Sequence, residues 1–344
     1  MKSSGPYYIG IDIGATKTIM AAFDGRLRAV TSKKRATPCP LSPGDLVDFV
    51  SGLYAELLPA IGAGRSAVEA AGLAVAAPVD RDAGEVLDAP NMGWKRAPVV
   101  DRLAAALKLP VALENDVQAG TLGELRLGAL RGMRNAIGVF VGTGIGGGIV
   151  INGELYRGAH GSAGELGHLV LQDGGPMCGC GIRGCLEALA SRTAVGRDAV
   201  AAALSGKAPL LLKRAGTDLA RCKSSALARS VEAGEEAVAA AVDRSAYWLG
   251  VGLAGLVAAL DPEAIVIGGG LPARLGERYR AAVESSLVDH LMAPLAGRTA
   301  VLMSRLGDLA VPAGAAVAAA EATAGRAAAA AMAEAGLGQD GAGD

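Results

Sequence analysis

Aromatic residues make up only 3% of this 344-residue chain, so its core has to be built from Ala, Val, Leu and Ile rather than from rings. Neither charge is in excess. The 33 basic and 34 acidic residues are mixed along the chain and leave a formal net charge of -1, which offers no electrostatic footprint for nucleic acid or an anionic membrane. Hydrophobic runs are short as well: the strongest, Ser245 to Leu260, is broken by glycine and serine and falls below the roughly 20 residues that span a bilayer, so a buried helix is expected there. Met1 to Pro6 leads straight into a strand-like Tyr7-Tyr8-Ile9, without the apolar core or cleavage site of a signal peptide. Cysteine is scarce and odd in number, at 5, with Cys39 and Cys222 isolated, which suits a reducing cytoplasm better than a disulfide scaffold. The expected partners are small molecules.

Glycine, by contrast, is abundant. Its 50 residues are about twice the usual ~7% and show no collagen period, so many tight turns or close backbone approaches are expected. The length exceeds what one core ordinarily serves, which makes two domains the default. The densest chemistry lies between Glu165 and Glu187, where His168, Cys178, Cys180 and Cys185 supply the four nitrogen and sulfur donors of a closed tetrahedral zinc site. Two carboxylates, Glu165 and Glu187, bracket it.

Along the chain, a strand from Tyr7 to Ile13 meets a second, Thr18 to Phe23, through a turn containing Asp12, Gly14, Thr16 and Lys17. That turn is either an ordinary surface hairpin or a phosphate site, in which converging backbone N–H groups, a hydroxyl and an amine meet an anion and Asp12 holds magnesium through water. Ser42-Pro43 starts a helix with apolar positions at Leu46, Val50, Leu53, Leu57 and Leu58. Gly72 to Ala77 is expected as a buried strand, Pro98 to Leu107 as a helix, and Pro110 to Glu114 as a strand ending at Asn115-Asp116. Asp116 is either the N-cap of the next helix or a carboxylate placed where open α/β sheets bind ligands. Asn91 lies in a loop beside Trp94, as part of a plain turn or as a hydrogen-bonding partner for a polyhydroxylated ligand.

A second strand, glycine turn and returning strand occupies Asn135 to Leu155, with Thr143 and Gly144 in the turn and Asn152-Gly153 at a further hairpin. Its Gly-x-Gly-x-x-Gly spacing is not a dinucleotide fingerprint, because a strand and not a helix follows. Arg157 to Gly164 is expected as a loop. Beyond Glu187 the expectation is helix from Thr193 to Leu204, an irregular patch from Lys207 to Lys223, a long helix from Gly234 to Leu260, and then a strand with a glycine turn at Gly268-Gly269-Gly270. A final strand, Thr299 to Met303, and an Ala-rich helix starting near Pro312 complete the pattern.

Asp12-x-Gly-x-Thr-Lys17, Glu114-Asn115-Asp116, Gly142-Thr-Gly-Ile-Gly-Gly-Gly148, Glu165-x-Gly-His168, Cys178-Gly-Cys180-Gly-x-x-Gly-Cys185-x-Glu187 and Gly268-Gly-Gly-Leu271 together resemble, in order and spacing, the ROK family of sugar kinases and repressors, most nearly its bacterial glucokinases. The resemblance runs from about Ile9 to Ala320. It implies an α/β, actin-like (ribonuclease H-like) two-domain fold with a cleft that closes on sugar and ATP. The domains it suggests are 1–117, 118–307 with the zinc motif and adenosine site, a helix over 308–335 packing back on the first, and a disordered tail over 336–344. It further implies Asp116 as general base and Asn91, Asn115, Glu165, His168 and Glu187 on sugar hydroxyls. Asp12, Gly14, Thr16, Lys17, Thr143 and Gly144 would face phosphates and Mg2+, and Gly269 and Gly270 would lie near adenine. His168, Cys178, Cys180 and Cys185 would hold Zn2+. A homodimer or higher oligomer is common in the family. This chain departs from the family pattern at Ala15, where a second Gly is usual, and at Val117-Gln118, where small residues are common.

The implied reaction is ATP-dependent phosphorylation of a hexose, with glucose giving glucose 6-phosphate. Other hexoses, N-acetylmannosamine, polyphosphate as donor, or a non-catalytic sugar sensor are the alternatives. Repressors of the family carry a DNA-binding helix-turn-helix ahead of the kinase-like part, and a first strand beginning by Tyr7 leaves no room for one.

Overall fold

The computed structural model describes residues 5–62 and 64–334, and the expected tail over 336–344 lies outside them. Two units divide the chain: residues up to Arg126 together with those from Leu309 onward, and Leu127–Asp308.

The first unit is built on β1 (Tyr7–Ile13), β2 (Lys17–Phe23), β3 (Ala29–Ala36), α1 (Pro43–Ile61), β4 (Val68–Val75), a small sheet of β5 (Val79–Asp80), β6 (Glu85–Ala89) and β7 (Trp94–Pro98), then α2 (Val100–Leu107), β8 (Val111–Asn115) and α3 (Asp116–Leu127). The main sheet runs β3-β2-β1-β4-β8, with β1 antiparallel to β2 and parallel to β4. β1 and β4 are covered on both faces, which is why they read as nearly continuous apolar runs. α1 begins where its capping chemistry dictates. Ser42 Oγ accepts Asp45 N–H at 3.1 Å, Asp45 Oδ2 accepts Ser42 N–H at 3.2 Å, and Pro43 takes the first helical position. Its buried face, Leu46, Val50, Leu53, Tyr54, Leu57 and Ile61, joins Ile9, Ile11 and Ile13 in one core.

The sequence reading missed β3 and the small sheet. β3 is an edge strand carrying Lys33, Lys34 and Arg35, charges that discourage further strand pairing and erase the apolar alternation by which strands are recognised. Pro98, expected to open a helix, instead ends β7, and the helix starts at Val100.

The second unit repeats the plan with β9 (Ala136–Val141), β10 (Ile145–Ile151) and β11 (Glu154–Tyr156). Helices α4 (Leu186–Ala190), α5 (Arg192–Leu204), α6 (Pro209–Ala215), α7 (Ser224–Glu232) and α8 (Glu236–Leu260) follow, then β12 (Ala264–Gly268), α9 (Gly270–Leu275), α10 (Glu277–Asp289) and β13 (Ala300–Met303). Its sheet order, β11-β10-β9-β12-β13, matches the first strand for strand, antiparallel through the hairpins and parallel from β9 to β12 and β13. A five-stranded sheet of this topology, present twice in one chain, is the actin-like, ribonuclease H-like arrangement. Asn152 and Gly153 turn the β10–β11 hairpin at φ 55° and 84°, the positive values such a tight turn requires. The patch expected to be irregular from Lys207 contains α6, whose first N–H groups are capped by Glu235, with Leu210 N donating to Oε1 at 2.6 Å. That cap comes from beyond the following helix, so no local signal announces it.

The chain then returns to the first unit as α11 (Ala310–Glu334), packed on the face of β1 and β4 turned away from α1. Gly10 and Gly72 are register partners on that face. A Cβ on Gly10 would lie 1.7 Å from the Pro312 carbonyl oxygen, and one on Gly72 would lie 1.9 Å from that of Ala315, so the helix sits directly on strand backbone. α3 meets α11 equally closely, since a Cβ on Gly314 would be 1.7 Å from Ala119 O; this holds α3 in the first unit and moves the boundary from the expected 117 to 126. Gly10→Ala should therefore destabilise the protein by about 3 kcal/mol in denaturant melts, the upper end for overpacking. Gly52→Ala, on the exposed side of α1 with open space around it, should be neutral or slightly stabilising.

Candidate functional site

In the first unit, the β1–β2 turn is closed by Gly14 N–H donating to Lys17 O at 3.0 Å. Asp12, at the end of β1, stands opposite Ile19 and Ala74, and Thr16 is exposed beyond it. Two residues that the sequence did not single out brace this turn. Thr37 Oγ1 donates to Gly14 O at 2.7 Å and lies 2.9 Å from Thr18 Oγ1. Because Thr37 spends its only hydroxyl hydrogen on Gly14, Thr18 must be the donor between them. Both threonines are buried, so the turn is held from beneath while its outer rim stays accessible.

At the carboxyl end of β8 the two readings of Asp116 separate. The helix cap belongs to Asn115, whose Oδ1 accepts Val117 N–H at 3.0 Å and Gln118 N–H at 3.1 Å. Asp116 Oδ1 shares the first of these N–H groups, at 2.9 Å. Asn115 is 8% exposed and also donates Nδ2 to Ala77 O at 3.2 Å, so most of its hydrogen-bonding capacity serves the protein. Asn91 is exposed on the short turn between β6 and β7. Beneath it Trp94 is buried and donates its indole N–H to Leu41 O.

In the second unit, the donor atoms of His168, Cys178, Cys180 and Cys185 lie within 4.8 Å of one another. Cys178 Sγ is 3.7 Å from His168 Nδ1, and Cys180 Sγ is 3.7 Å from Cys185 Sγ. A tetrahedral ion with metal–sulfur bonds of about 2.3 Å sets its ligands about 3.8 Å apart, so these residues fit such an ion. The turn that gathers them is local: Cys178 N donates to Ile182 O at 2.9 Å and Gly181 N to Cys178 O at 3.0 Å. Burial pushes the Cys178 thiol up to about 12 and raises that of Cys185, whereas the Ile182 N–H holds exposed Cys180 below its ordinary value. A bound cation would take the thiolates and release those protons. With Nδ1 turned to the cluster, His168 points Nε2 towards Glu165, at 4.0 Å from Oε2.

Glu187 joins this cluster to the second glycine turn. Its Oε2 accepts Ile145 N–H at 2.9 Å, and Cys178 Sγ lies 3.5 Å from its Oε1. Gly144 leaves room for this carboxylate: a Cβ there would sit 2.1 Å from Glu187 Oε2 and would push it away from Ile145 N–H. The α4–α5 junction holds the same turn from another direction: Arg192 N–H donates to Gly142 O at 3.0 Å, Thr193 Oγ1 to Thr143 O at 2.7 Å, and Arg192 Nη2 to Thr143 Oγ1 at 2.6 Å. Gly270 is exposed at the start of α9, while Gly269 lies against β9, where a Cβ would be 2.4 Å from Val141 O. Among the sequence-derived candidates of this unit, His168, Cys178, Cys180, Cys185, Glu165 and Glu187 thus form one connected group with Gly144. Arg192 and Thr193 were missed, since both look like ordinary opening residues of a helix.

Residues 8–322 match the family model described as the ROK family. A glucokinase of Halalkalibacterium halodurans is 36% identical over 276 residues, covering 78% of this chain and 81% of that protein. One from Thermotoga maritima is 34% identical over 90% of this chain and 95% of its own length. Among solved structures, a ROK family glucokinase from Streptomyces griseus in complex with glucose and AMPPNP superposes with a TM-score of 0.82 at 34% identity, covering 92% of this chain and 99% of that one.

Proposed function

This chain belongs to the ROK family, and we propose that it catalyses ATP-dependent phosphorylation of a hexose, with glucose giving glucose 6-phosphate as its preferred reaction. The observation that carries the reading is the division of labour at the end of β8, where Asn115 accepts the Gln118 N–H and shares the Val117 N–H with Asp116, so the cap of α3 does not rest on Asp116 alone. Likeness to glucokinases over most of the chain supports it.

Phosphoryl transfer needs an attacking oxygen in line with the γ-phosphorus and charge stabilisation on the phosphate oxygens. Asp116 is assigned as the base that takes the proton of the attacking sugar hydroxyl. Asn91 and Asn115 in the first unit, and Glu165, His168 and Glu187 in the second, are assigned to the remaining hydroxyls. A sugar whose epimeric hydroxyl left one of these groups unpaired would be rejected. Asn115 has one Nδ2 hydrogen left for such a contact once Ala77 O is served. His168 Nε2, with Nδ1 committed to the cluster, carries the hydrogen and donates.

Gly14, Thr16 and Lys17 in one turn and Thr143 and Gly144 in the other are assigned to nucleotide phosphates, with Gly269 and Gly270 near the adenine. Mg2+ bound with the nucleotide neutralises charge on the phosphate oxygens, and Asp12 is the carboxylate assigned to hold it. Zn2+ at His168, Cys178, Cys180 and Cys185 supplies structural order to the segment carrying Glu165 and Glu187. A cytoplasmic homodimer or higher homo-oligomer acting in glycolysis completes the proposal.

The test is ADP release by the purified protein with Mg-ATP across a panel of hexoses and N-acetylhexosamines, with polyphosphate as an alternative donor. Turnover strongest with glucose is the expected result. Strongest turnover with another sugar would move the specificity, and none with any sugar would leave the sensor reading in its place.

A further inference from the structure

Arg192 is a half-buried cation whose surroundings hold no counter-ion among the described residues. Its guanidinium contacts are Thr143 Oγ1, at 2.6 Å from Nη2, and the Cys222 carbonyl, at 3.5 Å from Nη1. Nearby arginines behave differently: Arg197 lies 3.5 Å and Arg244 3.0 Å from Asp198 carboxylate oxygens. Burial holds the Arg192 pKa below its ordinary value, offset in part by Cys222, so the charge is desolvated without a carboxylate to compensate it. A guanidinium presents five N–H donors in a planar fork, and two neutral oxygens satisfy only part of it.

The partner it does touch is informative. Thr143 Oγ1 receives the Arg192 N–H and therefore keeps its own hydrogen to donate. Arginine and threonine thus present donors side by side on a glycine turn whose carbonyls, at Gly142 and Thr143, are already occupied by Arg192 N–H and Thr193 Oγ1. With its acceptors satisfied and its remaining donors clustered, the rim of this turn suits an anion. The arrangement is also rigid. Ser191 caps α5 through Ala194 N at 3.2 Å, and Ser245 Oγ donates to Ala190 O at 2.6 Å, tying the residues just before Arg192 to α8.

We propose that Arg192 holds a phosphate oxygen of the nucleotide at the Gly142–Gly144 turn, with Thr143 donating its hydroxyl hydrogen to the same group. This rests on the assignment of that turn to nucleotide phosphate. The side chain is a binding residue, and its planar fork allows two parallel hydrogen bonds to one phosphate, which a lysine cannot reproduce.

The experiment uses the full chain with Arg192→Met and Arg192→Lys, and reads three quantities: the KM values for Mg-ATP and glucose, the calorimetric Kd for ADP without sugar, and the Kd for adenosine. Loss of a charge-assisted hydrogen bond predicts that Arg192→Met raises the ATP KM and the ADP Kd by roughly 10- to 100-fold. The glucose KM and adenosine Kd should stay within about two-fold, and Arg192→Lys should recover only part of the loss. If adenosine and ADP weaken equally, Arg192 only braces the turn and the proposal fails. It also fails if ADP binds both folded variants as it binds the parent. Should the parent phosphorylate no sugar yet lose ADP binding through Arg192→Met, the kinase reading falls while the anion site stands.

Discussion

Asp116→Asn is expected to yield a folded protein whose kcat falls by about 10²- to 10⁴-fold, the usual contribution of a general base. The substitution is aimed at the chemistry because it keeps the size of the side chain and leaves the Asn115 cap in place. Asn115 provides both cap hydrogen bonds to α3, at 3.0 and 3.1 Å, and an amide oxygen at position 116 can still accept the Val117 N–H that Asp116 accepts at 2.9 Å. Melting temperature and hexose affinity by calorimetry should therefore stay close to those of the parent, while turnover collapses across the pH range. Asn115→Ala makes the contrasting case. It removes the cap and the Ala77 tie, and should lower stability by about 1 kcal/mol or more. Near-parental kcat in folded Asp116→Asn would sink the role of general base.

Stripping the metal is expected to have the second large effect, and it should fall on the sugar rather than on the whole fold. Around the four ligands, the segment from Glu165 to Cys185 is held by short-range backbone contacts, such as Cys178 N–H to Ile182 O and Gly184 N–H to Pro176 O, at 2.9 Å each. Its bridges, Val170 with Cys185 and Met177 with Arg183, fold the segment on itself, Leu166 and Leu171 tie it to the core of the second unit, and the apolar cluster at the ligands consists of Cys178, Cys185 and Ala188. The strands of both sheets, and all of their large cores but Leu166 and the adjoining Leu171, lie outside the segment, so neither sheet needs the cluster in order to form. Removal of the ion, by chelator or by Cys178→Ser, should raise the glucose KM by roughly 10-fold or more, in line with the effect of losing groups that orient a site. Glu187 would carry part of that change, because it touches Cys178 at 3.5 Å and holds the Ile145 N–H at 2.9 Å. Elemental analysis, calorimetry with glucose and circular dichroism on the same samples check it. A metal-free protein with an unchanged glucose KM would confine the ion to structure remote from the sugar.

Much of the fold and of the site is legible in the amino-acid sequence, and the legible parts share a property. The Ser42-Pro43 helix start, the Asn152-Gly153 hairpin and the Cys178–Cys185 knuckle each depend on residues a few positions apart, so backbone chemistry alone announces them. The glycine turns are visible for the same reason, and the returning strand β10, which starts at Ile145, distinguishes the second one from a dinucleotide fingerprint. β3 escapes because charge on an edge strand hides alternation, and β5 to β7 because strands of two to five residues carry too few positions to show a period.

The sequence by itself determined which donors, turns and carboxylates this protein has and the order in which they occur, because those follow from local backbone preferences and from the chemistry of each side chain. Only the tertiary structure decided their duties. Asn115 became the cap beside Asp116, Glu187 reached back to Ile145, Thr37 to Gly14 and Arg192 to Thr143, and α11 settled on the glycines of β1 and β4. Each of these contacts except the cap joins residues far apart in the chain. Such contacts depend on the path of the fold through space, and a fold that buries backbone against backbone leaves little trace in sequence beyond an unexplained glycine.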